Sequence, residues 1–330
     1  MILPGGDPEA LARAASVLAR GGLVGFPTET VYGLGARADD DAAVAAIFAV
    51  KGRPADHPLI VHVASPEHAA HFAAELPEVA RRLMRSLWPG PLTLIVPRAP
   101  DVAAAAAGGH ASIGLRCPAH RVAHALLAAA HRLGVPGVAA PSANRFGRIS
   151  PTRAAHVAAE FGDGLLVLDG GACEVGIESA IVDCTQGRPV LLRPGALTRS
   201  QIEAAAGALL HERDAGAARA PGTLKMHYAP RARLRLMSRE ALDAALQVLG
   251  PAAPGVAVYS RTALDASPLQ DGSTLRFRAM PDIAAAAARE LFAVLRELDE
   301  PDVRLIWVEQ PPDTPEWEGV RDRLRRAAAA

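Results

Sequence analysis

The chain has 330 residues, of which half are hydrophobic, and its 35 basic side chains balance its 35 acidic ones. These values describe a globular protein long enough for two domains, and they exclude a disordered or fibrous chain. Neutral charge gives no support to a strongly basic nucleic-acid binder, although a local basic cleft is compatible with it.

The amino terminus is predicted to form an amphipathic helix. The segment MILPGGDPEALARAASVLARGG carries acidic residues early and arginines late, and it lacks the apolar centre of a signal peptide. No apolar run reaches the roughly 18 residues that a membrane span needs.

The cysteines (Cys117, Cys173 and Cys184) are far apart and show no CxxC spacing. They argue against a disulfide framework or structural zinc and favour a reducing cytoplasm.

Helical and strand patterns alternate over residues 1–210, which predicts an α/β domain. The predicted helices span residues 10–20, 41–50, 66–74, 77–86, 121–133, 153–161 and 199–206. The predicted strands span residues 23–26, 59–63, 92–96, 112–116, 138–140, 165–169, 179–183 and 190–193.

Residues 211–232 are polar, punctuated by Gly and Pro, and predicted to be a linker. Residues 233–330 again alternate, which predicts a small parallel sheet with covering helices. Predicted strands span 234–237, 256–259, 274–278 and 304–308, and predicted helices span 239–249, 282–298 and 316–328. This second domain has no GxGxxG or Walker sequence, so no motif indicates nucleotide binding there.

Several motifs follow predicted strands, where α/β sheets place ligands. FPTETVYGLG at residues 26–35 is rich in hydroxyls, including Thr28, and a tight turn with capping hydroxyls is the alternative interpretation. KGRPADHPLIVHV carries Lys51 and Arg53 two residues apart on a proline-bounded loop, with His57 and His62 further on. Two cations on one short loop suit a polyanion such as triphosphate, and a solvated face is the alternative.

Lysine and asparagine are rare, since Lys51, Lys225 and Asn144 are the only examples in the chain. Lysine is a compact point charge whereas arginine is a planar fork, so a lysine that persists in an arginine-rich chain can have work that arginine cannot do. Each of the three falls in a dense motif: KGRPADHPL, LKMHYAP or PSAN.

Further polar residues lie on later strands and their loops. SIGLRCP places Ser112 and Arg116 on one face of a strand, and an arginine there is costly to bury unless it is paired. Arg116 is therefore expected to face a partner, a cleft or a bound carboxylate. The loop PSANRFGRISPT, GIESAIVD and LLRPG add donors suited to phosphate or ribose; they are Ser142, Asn144, Ser150, Ser179 and Arg193.

Together these hydroxyls and cations indicate catalysis by positioning and charge neutralisation, as in nucleotidyl transfer. No Ser-His-Asp order, reactive cysteine context or metal-ligand spacing appears in the sequence.

The ordered motifs GGLVGFPTETVYGLG, KGRPADHPLIVHV, WPGPLT, GLRCPAH, AAPSAN, SPT, GIESAIVD, LLRPG and HYAP resemble the two-domain threonylcarbamoyl-AMP synthases over residues 21–230. The resemblance implies a YrdC-like twisted mixed sheet with a basic cavity, plus a smaller Rossmann-like parallel α/β domain. It divides the chain into a catalytic domain (1–210), a linker or lid (211–232) and a C-terminal domain (233–330). It also implies that L-threonine, bicarbonate or CO2 and ATP with Mg2+ yield threonylcarbamoyl-AMP and pyrophosphate.

The resemblance also implies site residues, of which Lys51, Arg53 and Arg116 would be catalytic. The threonine site would comprise Thr28, His62, Arg116, the Ala140 backbone and Ser179. The ATP site would comprise Lys51, Arg53, His57, Ser112, Ser142, Asn144, Ser150 and Arg193, covered by His227 and Tyr228 from the linker. The chain departs from many members at His57, where they have Asn, and at TLKMHYAP, where they have KYKHYAP.

The implied partners are the small-molecule substrates and the tRNA threonylcarbamoyl-transferase complex, to which the product would be handed over; no membrane partner is implied. An RNA-binding module that uses the basic cavity without its own chemistry is the alternative, with steeply salt-dependent binding as its signature. A related carbamoyl transferase is a further alternative, but this chain lacks the cysteines for the zinc fingers of those proteins.

Overall fold

The computed structural model describes residues 1–214, 216–222, 226–249, 255–262 and 275–329. The chain forms two compact units. The first comprises Met1–Phe146 and Ser150–Thr223, and the second comprises Gly147–Ile149 and Leu224–Ala330. Three residues from the middle of the sequence therefore belong to the second unit.

A ten-stranded mixed sheet forms the centre of the first unit, as the fold prediction requires. Its strands are β1 (Ile2–Pro4), β2 (Val24–Phe26), β3 (Gly33–Arg37), β4 (Ile60–His62), β5 (Leu92–Pro97), β6 (Ser112–Arg116), β7 (Val138–Ala139), β8 (Leu166–Asp169), β9 (Ala180–Asp183) and β10 (Val190–Arg193). The order across the sheet is β1-β8-β2-β3-β7-β4-β6-β5-β9-β10. The strand pairs β4–β6 and β5–β9 are parallel, whereas β5–β6 and β9–β10 are antiparallel.

Helices cover both faces of this sheet. They are α1 (Pro8–Ala19), α2 (Asp41–Lys51), α3 (Glu78–Leu87), α4 (Arg121–Arg132), α5 (Ala154–Phe161) and α6 (Arg199–Ala206), and Pro66–His71 is a 3-10 helix. Side chains of α1 and α4 share a core with Leu166 and Leu168, whereas those of α2, α3, α5 and α6 share a core with Val167. Because successive strand residues point to opposite faces, the two cores lie on opposite sides of the sheet.

Two strands were missed in the sequence interpretation. The predicted amino-terminal helix is wrong for its first residues, since Ile2–Pro4 pairs with β8 and the helix begins after Asp7, whose carboxylate accepts from the Glu9 and Ala10 amides. The glycine-rich half of FPTETVYGLG is strand β3 rather than a turn. A Cβ on Gly35 would lie 2.7 Å from a Val138 methyl, so glycine lets this strand pack closely where a strand pattern is hard to recognise.

The second unit contains a four-stranded parallel sheet, which confirms the prediction for this region. Its strands are β11 (Arg233–Met237), β12 (Val256–Ser260), β13 (Arg276–Ala279) and β14 (Leu305–Glu309), in the order β11-β14-β12-β13. The helices are α7 (Arg239–Leu249), α8 (Ala284–Leu298) and α9 (Glu318–Ala328), with a 3-10 turn at Pro315–Trp317.

Candidate active site

A polar turn follows strand β2. The Thr28 hydroxyl accepts from the backbone amides of Thr30 and Val31, at 3.2 Å each, and donates to the Val31 carbonyl at 2.7 Å. Thr28 and Thr30 are 2 % and 0 % exposed, and their hydroxyls are 2.8 Å apart. The turn thus holds both hydroxyls and the intervening Glu29 inside the protein.

Arg116, the last residue of β6, lies against this turn. Its Nε donates to the Gly90 carbonyl at 3.2 Å and its Nη1 donates to the Thr30 hydroxyl at 2.8 Å. Its Nη2 lies 2.7 Å from Glu29 Oε1, and the two side chains are 4 % and 6 % exposed. The partner that the sequence required for a buried Arg116 is therefore an internal carboxylate.

His62 ends the neighbouring strand β4, and the parallel register pairs it with Arg116. Burial, and secondarily the charge of Arg116, lowers the pKa of His62 to about 3. The ring meets the edge of Phe26 at a centroid distance of 5.9 Å. His62 is therefore a neutral group at physiological pH and adds no positive charge beside Arg116.

Ser179 and Arg193 meet on the other side of β5. The Ser179 hydroxyl lies 2.8 Å from that of Thr93, a buried residue that the β5–β6 register places opposite Arg116. Arg193 donates to the Ser179 carbonyl at 3.1 Å, to its hydroxyl at 3.3 Å and to the Pro221 carbonyl at 3.0 Å. Arg193, assigned to ATP, thus contacts Ser179, assigned to threonine.

Ser150 is linked to the same segment through Glu178. Its hydroxyl donates to Glu178 Oε1 at 2.5 Å, and Ser150 and Glu178 are 0 % and 7 % exposed. The residue that precedes Ser179 thereby positions Ser150.

Lys51 ends α2 and is buried in a group of backbone carbonyls. Gly52 adopts a left-handed φ of 64°, which ends the helix immediately after Lys51. The ammonium donates to the Ser142 carbonyl at 2.6 Å and also to the Asn144 carbonyl. Burial, with a smaller contribution from Arg53, lowers the pKa of Lys51 well below its usual value. The structure thus joins Lys51, Ser142 and Asn144, and a wide guanidinium would not fit between the two carbonyls as a compact ammonium does.

Arg53 and His57 lie in the loop that follows. Arg53 is 8 % exposed, donates to the Pro58 carbonyl at 3.0 Å and lies 5.8 Å above the centre of the Phe146 ring. The His57 ring meets the edge of Phe146 at a centroid distance of 5.5 Å. Burial, and then the Arg53 charge, lowers the pKa of His57.

Ser112 begins β6, so it lies about 13 Å along the strand from Arg116. The β4–β6 register pairs Ile60 with Gly114, which puts Ser112 level with Pro58, the acceptor of Arg53. Ala140 follows β7, and its amide donates to the Ile60 carbonyl at 2.9 Å. The candidates on β4 and β6 therefore divide between the two ends of these strands: Arg53, His57 and Ser112 at one end, and His62 and Arg116 at the other.

His227 and Tyr228 belong to the second unit. Tyr228 is 1 % exposed, has a φ of 63°, and packs against Phe292 with the Arg323 guanidinium 5.5 Å from its ring centre. The His227 ring lies 4.1 Å from that of Tyr228, and its amide donates to the Arg326 carbonyl at 3.3 Å. Lys225 lies outside the described residues.

Three site residues were absent from the sequence-based selection: Glu29, Thr93 and Glu178. All three lie inside the sequence motifs PTET, PGPLT and GIES, but only the three-dimensional pairing with Arg116, Ser179 and Ser150 indicates their importance.

Among the described residues, no group of three or more His, Cys, Asp or Glu side chains is arranged to hold a metal ion. None of the helices in that part of the chain has the length and apolar character that crossing a bilayer requires.

A mixed sheet with buried cations and hydroxyls along its strands, in a chain that also has a parallel α/β unit, defines a two-unit α/β protein with a candidate anion-binding site. Two family models match most of the chain. The family model Sua5_yciO_yrdC, described as "Telomere recombination", matches residues 16–195, and the model described as "Threonylcarbamoyl-AMP synthase, C-terminal domain" matches residues 197–329.

Relatives match over nearly the whole chain. The threonylcarbamoyl-AMP synthase of Pyrococcus abyssi is 38 % identical over 327 residues, covering 96 % of this chain and 93 % of the relative, and that of Bacillus subtilis is 38 % identical over 333 residues, covering 98 % and 93 %. The crystal structure of P. abyssi Sua5 complexed with L-threonine superposes with a TM-score of 0.84 at 37 % identity, covering 96 % of this chain and 94 % of that one. The chain belongs to the threonylcarbamoyl-AMP synthase family, in its two-domain form.

Proposed function

We propose that this chain forms L-threonylcarbamoyl-AMP and pyrophosphate from L-threonine, bicarbonate or CO2, and ATP. The observation that carries the proposal is the division of polar groups between the two ends of β4 and β6. One end has a charge-paired arginine with hydroxyls, and the other has Arg53, a buried cation that donates to a backbone carbonyl, with the buried Lys51 two residues before it in the chain. The full-length relatives with this name support the synthase over an RNA-binding module without chemistry.

Threonine would bind at the end of β4 and β6 marked by His62 and Arg116. Thr28, the Ala140 backbone and Ser179 would supply further polar contacts, and Arg116 would bind the substrate carboxylate. His62 is neutral, so it would contribute a hydrogen bond rather than a charge. A P. abyssi relative was crystallised with L-threonine, which supports an amino-acid site in this fold.

ATP would bind at a set of cations and hydroxyls that includes Lys51. Lys51 and Arg53 would neutralise the phosphates, and the remaining contacts would come from His57, Ser112, Ser142, Asn144, Ser150 and Arg193. His227 and Tyr228 would act as a lid from residues 211–232. We retain 1–210, 211–232 and 233–330 as the proposed functional divisions.

The chemistry would be an in-line attack of the threonine carbamate on the α-phosphate, with pyrophosphate leaving. The Arg193 contacts to Ser179 support a position for Arg193 where the two substrates meet. A guanidinium there would neutralise charge that develops between carbamate and phosphate. Burial of the surrounding groups would shelter the carbamate from water.

Mg2+ would arrive as part of the MgATP substrate. The product would be passed to the tRNA threonylcarbamoyl-transferase complex for modification of tRNA in the cytoplasm. These proposals rest on the family membership.

The test is a pyrophosphate-release assay with ATP, Mg2+ and bicarbonate, with and without L-threonine. Release that requires threonine, together with a product that has the mass of threonylcarbamoyl-AMP, is expected. Threonine-independent release would contradict the proposal. Arg121→Ala, an exposed arginine on α4 outside the proposed site, is the matched control for arginine variants and should keep full activity.

A further inference from the structure

The carboxylate of Glu29 has unused hydrogen-bonding capacity. Both of its oxygens are buried, and neither makes a hydrogen bond, although Oε1 lies 2.7 Å from Arg116 Nη2 as an ion pair. Buried polar groups are ordinarily hydrogen-bonded, and an ionised carboxylate can accept several donors. Glu29 is therefore suited to receive a cationic donor from a ligand.

We propose that Glu29 is the residue that binds the α-ammonium group of the substrate amino acid, while Arg116 binds its carboxylate. This inference deepens the proposed function and rests on it. A free α-amino acid is a zwitterion, with one carbon atom between its positive and negative groups. The Glu29–Arg116 pair presents the opposite charges side by side, so each end of the zwitterion meets its complement.

The anchoring of the two side chains supports this exchange. Arg116 is held by the Gly90 carbonyl through Nε and by the Thr30 hydroxyl through Nη1, so only its Nη2 has to change partner. The Glu29 backbone is fixed because its carbonyl accepts from the Val175 amide at 2.8 Å. A zwitterion can therefore open the ion pair without dismantling the turn that carries it.

Charge balance favours the same arrangement. The ion pair and the zwitterion are each neutral, so binding leaves no uncompensated charge in a buried site. A carboxylic acid that lacks the ammonium would leave Glu29 buried without its counter-charge, and a site built around a polar group discriminates strongly against such an analogue. Glu29 would thus select for a free α-ammonium when the amino acid first binds, before its nitrogen is carboxylated to the carbamate.

The experiment measures by calorimetry the binding of L-threonine and of 3-hydroxybutanoate, which retains the carboxylate and hydroxyl but lacks the amine. Wild-type protein is compared with Glu29→Gln, which keeps the shape of the side chain and removes its charge. Glu29→Gln should raise the Kd for threonine about tenfold to a hundredfold, because a hydrogen bond between charged groups is lost. The Kd for 3-hydroxybutanoate should stay constant or fall, because the repelling carboxylate is gone.

Two controls isolate the effect. Glu75→Gln neutralises an exposed glutamate of the same unit and should leave both affinities unchanged. ATP binding and the unfolding temperature report whether Glu29→Gln is folded. If it is not, the wild-type protein decides: a preference of at least about tenfold for threonine over 3-hydroxybutanoate supports the inference.

The inference is overturned if Glu29→Gln binds threonine as tightly as wild type, or if the wild-type protein binds both ligands equally. Failure of the proposed function looks different, because wild-type protein would then bind no threonine and release no threonine-dependent pyrophosphate.

Discussion

Two buried cations of the first unit, Arg116 and Lys51, are held in different ways. Arg116 faces the carboxylate of Glu29, so its charge is balanced within the protein. Lys51 donates to the carbonyls of Ser142 and Asn144, which are neutral. An internally balanced pair suits a zwitterion, whereas a cation held by neutral acceptors still offers its charge to a polyanion. The electrostatic surroundings therefore distinguish a proposed amino-acid end from a proposed nucleotide end.

Removing Arg116 should have the largest effect on ligand binding. Arg116→Ala leaves Glu29 buried without its partner and takes away the proposed carboxylate ligand, so threonine binding should weaken by about 2–5 kcal/mol. ATP binding should change little, because the cations of the other end remain. Calorimetric titrations with each ligand, beside the Arg121→Ala control, measure both effects. Equal losses for threonine and ATP would show that the two ends do not act separately.

Replacing Lys51 by arginine should have a smaller effect, and it should weaken the binding of ATP rather than that of threonine. Lys51→Arg preserves the positive charge, but the planar guanidinium cannot occupy the space between the two carbonyls as the ammonium does. We expect the Kd for ATP to rise about tenfold, the equivalent of one charged hydrogen bond, with threonine affinity nearly unchanged. Unchanged ATP affinity would mean that ATP binding depends on the positive charge at residue 51 and not on the shape of the side chain. The conservative replacement is chosen because it separates shape from charge.

A pH series on His62 tests the proposed amino-acid end through stability rather than through binding. The pKa of folded His62 is about 3, below the usual value of 6.5, so the unfolded chain binds a proton first as pH falls. The free energy of unfolding should therefore fall between pH 6.5 and 3, by up to about 1.4 kcal/mol per pH unit.

His62→Gln should make that dependence shallower. Urea unfolding at pH 7, 6, 5 and 4 measures the slope, and His124→Gln, an exposed histidine on α4, is the matched control. If the free energy of unfolding has the same pH dependence in wild type and His62→Gln, His62 is not held neutral in the folded protein. A charged histidine would then lie beside Arg116.

Much of the architecture could be predicted because it depends on local patterns. The apolar runs that became β5, β6 and β10 and the helical periodicity of α4 and α6 are legible from neighbouring residues alone. β3 was missed because Gly33 and Gly35 carry no strand-forming side chain, and β1 was missed because its pairing with β8 joins distant parts of the chain. Strands that depend on pairing with distant parts of the chain therefore cannot be predicted from local sequence patterns.

The candidate site was likewise predictable where it depends on local motifs and not where it depends on contacts between distant residues. Motif positions indicated most of the polar groups, and Arg116 was expected to need a partner. That the partner is Glu29 depends on how β6 meets the turn after β2, which no local pattern in a single sequence reveals. The neutral state of His62 likewise follows from complete burial in the folded protein.

The chain also sets a limit on how it can be divided. Gly147–Ile149 belongs to the second unit although the residues on either side belong to the first. The Gly147 carbonyl accepts from the Ala229 amide at 2.8 Å, and the Ile149 carbonyl accepts from Arg296. A gene shortened after codon 210 would thus encode a first unit that lacks residues 211–223 and still carries a fragment of the second without its hydrogen-bonding partners. Separating the units cleanly requires rewriting the chain at two places, because the second unit is built from two separate segments of the sequence.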